Sequence, residues 1–398
     1  MKRLWRRLMG TRGIVPNLVI SQRVIDKMAA AASQFMEDET GEAMIGIIDP
    51  GKYTNGVPTI YVLDTISPDE TAVRHMHTFQ QGDEQQDEII WWLQENWHAR
   101  RDYLRETAQG AEQAKWDEPL RYLGDWHKQP GYMIAPSGGD LMTALNWLDD
   151  EENEMEALLV PIVTIGHPAT TASSEATVNY NTMPSGDGEF MRVDWWYIHR
   201  EVAMFQPINP VVYPADKLPE LTRYPWHLIN PDRAETEMAQ LQGDGLFVSL
   251  LLWNADKKLP LEICFMMARQ GASKILMIGT HWDYPESAPF ARVAPFRQMQ
   301  TGDDIYDVFE SLWAQSEPVT NPPDWQWTAD TYLVDYVHAL ETHLGIRPSE
   351  AVSTDATDAK AVNVPVTIEA DNDDISETAD RTDEAIKDTA ETEKEEHS

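Results

Sequence analysis

Residues 122–148, YLGDWHKQPGYMIAPSGGDLMTALNWL, constrain this chain more than any other stretch. They begin as a short apolar strand, Tyr122-Leu123-Gly124, and open into a loop punctuated by Pro130, Gly131, Pro136, Gly138 and Gly139. Proline and glycine at that density keep a backbone out of regular structure. From Asp140 an apolar stripe at Leu141, Leu145 and Leu148 runs at helical spacing. Ser137 or Asp140 stands where an N-cap belongs. A strand end, a stiff loop and a helix start therefore converge, bringing His127, Ser137 and Asp140 together.

Imidazole nitrogen and carboxylate oxygen are donors that a small divalent cation takes, at about 2 Å. A hydroxyl beside them can donate to a developing oxyanion. The same residues also describe a plain capping loop, with His127 merely hydrogen-bonded.

The stretch resembles the JAMM motif of JAB/MPN-domain metalloproteases, the zinc isopeptidases that remove ubiquitin and ubiquitin-like proteins. Their loop reads His-x-His-Pro, then Ser and Asp at fixed spacing. Here His127-Lys128-Gln129-Pro130, Ser137 and Asp140 stand in register with it. Gln129 departs from the pattern, replacing the second zinc-binding His, and a neutral amide oxygen is a far poorer ligand than imidazole. Upstream, Glu39-Thr40-Gly41-Glu42-Ala43-Met44-Ile45-Gly46 is similar to the family's Glu-Thr-Gly-Gly-x-Leu-x-Gly. The resemblance implies Glu39 as the base. Glu42 occupies a position usually held by glycine, and a shift of frame would exchange the two. Both also read as ordinary turn carboxylates.

Arg74-His75-Met76-His77 precedes an acidic, Gln-rich helix start. In the family this segment borders the active-site groove, so His75 or His77 is a candidate to replace the ligand missing at Gln129. In an extended strand the two would point to opposite sides; the competing reading is a pair of surface or groove-lining histidines.

The fold that the resemblance implies is α/β (α+β): a JAB/MPN, cytidine-deaminase-like mixed sheet with flanking helices over residues 14–200. Strands are expected at 18–20, 43–48, 58–66, 158–165 and 191–198, with helices after Ser21 and from about residue 83. Six prolines stiffen the connection 201–231, from Pro207 to Pro231. Residues 232–347 read as a short helix, a meander of strands at 246–253, 259–267 and 274–279, the loop Tyr284-Pro285…Pro289, and an amphipathic helix through Leu333, Val337, Leu340 and Leu344. That order resembles a smaller α+β domain of the ubiquitin-conjugating-enzyme (UBC) or RWD kind. The family's catalytic cysteine should follow the loop, and the chain has none beyond Cys264. The resemblance therefore implies a binding or scaffolding module; an unrelated α+β domain with a proline turn is the alternative.

Residues 348–398 turn to Asp, Glu, Thr and Ala, too polar to offset the entropy of ordering, and are expected to be a disordered acidic tail. Residues 1–13 are a basic arm with no apolar core or cleavage site of a secretory signal. No apolar run approaches the roughly 20 residues that span a bilayer. The net charge of −36 opposes nucleic-acid binding, because phosphates would be repelled. A lone cysteine makes no internal disulfide and no Cys-rich zinc site, so a cytoplasmic protein is expected.

Two functions follow. In the first, the resemblance implies a Zn²⁺-dependent isopeptidase or peptidase acting on a ubiquitin-like protein conjugate or its C-terminal tail. His127, Asp140 and, weakly, Gln129 would hold the metal, with Glu39 as base and Ser137 as oxyanion donor. In the second, a metal-free MPN scaffold binds a ubiquitin-like partner without cutting it. The sequence is compatible with a homodimer in either case.

Overall fold

The computed structural model describes residues 14–346, apart from 53, 77, 82–83, 108–115, 151–152, 154, 169, 171–178, 186–188 and 256–257. The basic arm, the acidic tail and His77 lie outside the described residues.

Strand β1 (Asn17–Ser21) leads into helix α1 (Gln22–Gln34), whose Val24, Ile25, Met28 and Ala32 are buried. Strands β2 (Thr40–Asp49) and β3 (Thr59–Ile66) form an antiparallel pair, and β4 (Val73–His75) and β5 (Thr78–Gln80) make a small separate hairpin. Helix α2 (Glu84–Thr107), β6 (Arg121–Lys128) and α3 (Gly138–Asp149) follow. The chain continues through β7 (Ala157–Leu159), β8 (Ile162–Ile165), β9 (Tyr180–Pro184), β10 (Phe190–Asp194), β11 (Trp196–His199), β12 (Gln206–Pro207) and β13 (Pro210–Tyr213). An eight-stranded mixed sheet runs in the order β13-β1-β3-β2-β6-β8-β10-β9, with β12-β11-β7 beside it.

Alternation along the strands divides the apolar residues between two layers. Leu18, Ile20, Met44, Val62 and Trp126 pack with Val24 and Met28 of α1. Val19, Ala43, Ile45, Tyr61 and Leu63 pack with Trp92, Leu93 and Trp97 of α2. The sheet is therefore sandwiched between α1 and α2.

Beyond it, the short α4 (Trp226–Ile229) and α5 (Pro231–Gly243) precede a five-stranded antiparallel sheet. Its strands are β14 (Leu246–Trp253), β15 (Glu262–Arg269), β16 (Lys274–Thr280), β17 (Phe290–Pro295) and β18 (Glu317–Val319), with α6 (Ile305–Gln315) before β18 and α7 (Leu333–Leu344) last. Leu241 of α5 and Leu333, Val337 and Leu340 of α7 fill one face. Val308, Phe309 and Leu312 of α6 close the other.

Four elements differ from expectation. β6 does not stop at Gly124; that glycine takes φ +118, with Leu159 O where a Cβ would stand, and the strand resumes beyond it to Lys128. The expected strand 158–165 divides into β7 and β8 around Pro161, which has no N–H for a ladder. The expected strand 191–198 divides at Trp195. Within the proline-rich connection, β13 joins the first sheet parallel to β1.

Helix α2 ties the two sheets together. Asn96, 2% exposed, donates to Trp92 O at 2.9 Å and accepts from Leu261 N at 2.7 Å, while Trp92 Nε1 donates to Arg223 O at 2.9 Å. Asn96→Ala leaves the Leu261 N–H buried without a partner and should cost about 1–3 kcal/mol, read from denaturant unfolding. Beside this joint His227 lies near the Trp92 and Trp226 rings, and burial pushes its pKa down from 6.5 to about 4. The unfolded chain then takes a proton that the folded one refuses. This stability is complete above pH 6.5 and is lost as pH falls toward 4. His227→Phe should lose less Tm than the native protein across that window; parallel losses would show that His227 does not titrate there.

Candidate active site

The site is built on β6, which pairs on both sides. Gly41 of β2 stands opposite His127, and Ile162 of β8 stands opposite it on the other flank. His127 N donates to Pro161 O at 3.1 Å and Gln129 N to Val163 O at 3.0 Å, so both backbones are pinned. Because successive side chains alternate, His127 and Gln129 share one face, while Trp126 and Lys128 take the other, packed toward α1. Gly41 has to be glycine. A Cβ there would come within 2.2 Å of Trp126 O and 2.7 Å of the Phe79 ring.

Ser137 N-caps α3 in a reciprocal capping box. Its Oγ accepts from Asp140 N at 3.2 Å, and its own N–H donates to Asp140 Oδ2. That leaves Asp140 Oδ1 3.7 Å from His127 Nε2. Burial lowers the pKa of His127, and the Asp140 carboxylate only partly opposes it, so the ring is held neutral, as a metal ligand must be. Gln129, 7% exposed, places Nε2 3.2 Å from His127 Nε2, and its Oε1 is buried without a hydrogen-bond partner.

His127, Gln129, Ser137 and Asp140 are thus brought together. The acidic candidates separate. Glu42 stands opposite Trp126, on the α1 face, and accepts from Ser67 Oγ. Glu39 immediately precedes β2 and donates its N–H to His75 O at 2.9 Å; continuing the β2–β6 register by one step sets it across from Gln129. His75 is exposed, and among the described residues it does not join His127 and Asp140 in a group that could hold a metal ion. Among the described residues no group of three His, Cys, Asp or Glu side chains could hold a metal ion.

Two contributors escape a linear reading. Lys128, 2% exposed, donates Nζ to Met36 O at 2.9 Å. Burial lowers its pKa, opposed by Asp38, Glu37 and Glu39, so its charge braces the turn that carries Glu39. Its signal in the sequence was faint: a cation alternating with His127, in phase with the apolar Trp126. Trp196 donates Nε1 to Ile134 O at 2.9 Å and fastens the loop between β6 and α3. Nothing local to that loop announces its anchor.

The residues present offer a divalent cation one imidazole and one carboxylate oxygen, and an amide oxygen as a weak third donor only with the Gln129 amide turned over from the orientation that sets its Nε2 against His127.

No family model matches the chain. Over 179 residues, 44% of this chain and 81% of the other, it is 25% identical to a protein named CD-NTase/cGAS isopeptidase from Enterobacter hormaechei subsp. hoffmannii (strain UCI 50). The solved structure of protein DSY2949 from Desulfitobacterium hafniense matches 50% of this chain and 93% of its own at 13% identity, with a TM-score of 0.26, too slight a likeness to carry an argument. Among the described residues no helix is long and apolar enough to cross a membrane.

The capping box sets how Asp140 faces His127. Ser137→Ala should cost about 1 kcal/mol in chemical denaturation, and Ser137→Gly only a few tenths. Equal losses in the two variants would show that the hydroxyl does not act as a cap.

Proposed function

We propose that this chain is a hydrolase of the isopeptidase class, acting through a JAMM-type site on a ubiquitin-like protein conjugate or its C-terminal tail. The observation that carries this reading is the 3.7 Å approach of His127 Nε2 to Asp140 Oδ1, with the Gln129 amide 3.2 Å from the same ring nitrogen. The match to a protein named an isopeptidase supports the class.

His127 Nε2, Asp140 Oδ1 and Gln129 Oε1 would hold a Zn²⁺ ion. When bound, it supplies Lewis acidity and lowers the pKa of water. The remaining steps belong to the chain. Glu39 takes the proton of the attacking water and delivers it to the leaving amine. Ser137 accepts at its oxygen from Asp140 N, which leaves its hydroxyl hydrogen to donate to the oxyanion. Lys128 holds the turn that carries Glu39 through Met36 O.

Residues 232–347 would then be a binding module of the UBC/RWD-like kind. Cys264 cannot serve there as a thioester nucleophile: it is buried in the sheet, and burial drives its pKa well above the ordinary thiol value.

A metal-free scaffold that binds a ubiquitin-like partner is the second reading. The absence of a third ionisable donor among the described residues favours it. Zinc content of the purified protein decides between the two. Stoichiometric zinc that is lost in His127→Ala is the expected result. A metal-free native protein that takes up zinc only as Gln129→His would replace the hydrolase with the scaffold.

A further inference from the structure

A cavity of about 370 Å³ opens at the head of β2, on the α1 side of the sheet. Its walls include Phe35, Glu42, Ser67, Asp69, Glu70 and Arg74. The volume is at the low end of the roughly 300–1,000 Å³ typical of small-ligand sites. Gly41, which stands opposite His127, also lines the cavity, but the Glu42 side chain takes the opposite face of the sheet from His127.

Glu42 is 4% exposed, and only one of its carboxylate oxygens is satisfied. Ser67 Oγ donates to Oε1, while Oε2 is buried with no hydrogen-bond partner. A carboxylate oxygen held out of water without a donor is costly, and a donor brought by a ligand removes that cost. The charge around it selects the donor. Glu42, Asp69 and Glu70 supply three carboxylates against the one guanidinium of Arg74. Arg74 is itself engaged, donating Nε to Thr40 Oγ1 at 3.3 Å and lying 4.5 Å from the centroid of the Phe35 ring. Three carboxylates against one guanidinium leave the wall net negative, while Phe35 and Pro68 offer apolar surface for a hydrocarbon stem.

We propose that this cavity binds the terminal ammonium or guanidinium of an alkyl chain, its charge directed at Glu42 and its stem against Phe35 and Pro68. Lysine or arginine side chains of a polypeptide carry that chemistry, and so do free alkylamines. The site stands whether or not the chain is a hydrolase.

Calorimetric titration of the full chain tests it with n-pentylammonium, agmatine and the peptide Gly-Gly-Lys-Gly-Gly, with 1-pentanol and Gly-Gly-Leu-Gly-Gly as uncharged controls. Binding of a cationic probe is expected. Glu42→Gln, which keeps the shape and the Ser67 bond, should weaken it about tenfold or more, the scale of a hydrogen bond to a charged group. Asp69→Asn should weaken it to a lesser degree, and it decides the matter if Glu42→Gln does not fold. Tighter binding of the peptide identifies a polypeptide side chain as the source; tighter binding of the free amines identifies a small molecule. The proposal is overturned if no cationic probe binds, if the uncharged controls bind equally well, or if the folded variants bind as the native protein does.

Discussion

The two oxygens of Asp140 have different tasks, and the site depends on that division. Oδ2 is taken by the Ser137 N–H at the start of α3, and Oδ1 is turned toward His127. A free aspartate would turn about χ1 and χ2; the capping box removes that freedom and aims one oxygen. The imidazole it faces is equally restrained. β6 is hydrogen-bonded on both flanks at His127, antiparallel to Gly41 and parallel to Ile162. A helix start and a twice-paired strand are among the stiffest positions a fold offers, and stiffness keeps two donors close without a ligand between them.

The same logic extends to the larger frame. Trp92, Leu93 and Trp97 of α2 are buried against the first sheet, and Leu252, Leu259 and Leu261 from the second region pack into the same cluster. Asn96 adds a buried hydrogen bond to Leu261 N. An apolar contact reinforced in this way resists hinge motion between the sheets, where a wetter and more polar boundary would permit it. The tryptophans of α2 therefore serve the joint as well as the core.

What could be read from the sequence was what is decided locally. The α3 stripe follows from spacing alone, and of the two N-cap candidates the structure takes Ser137, with Asp140 completing the capping box. The meander from β14 to β16 likewise follows from apolar runs between turns. Gly124 misled because glycine usually marks a turn; here its φ of +118 is absorbed within the strand, which runs on through His127. β13 was missed because its partner, β1, lies nearly the whole length of the sheet away in sequence, and proline content suggested only extension. Helix α6 went unread although Asp304 caps it and Val308, Phe309 and Leu312 form its buried face. The face that Glu42 takes needed the pairing register, because only the partner strand shows that it shares a face with Trp126 rather than with His127.

Gln129 is the departure that gives the site its character. An amide beside an imidazole nitrogen has two orientations. With Nε2 donating to the His127 lone pair, Oε1 is left buried and unpartnered. Turned over, Oε1 accepts from a protonated ring nitrogen and the amide hydrogens lose their acceptor. Neither arrangement satisfies both ends, and a buried polar atom without a partner is costly. A cation between the imidazole and the amide would resolve this by drawing the His127 lone pair and Gln129 Oε1 to the same point. A histidine in place of Gln129 would add a stronger donor, but it would also add a second proton competitor. His127 is already held neutral by burial, and the amide carries no proton to lose. Cation uptake at this site would thus depend less on pH than at a two-histidine site, at the expense of affinity.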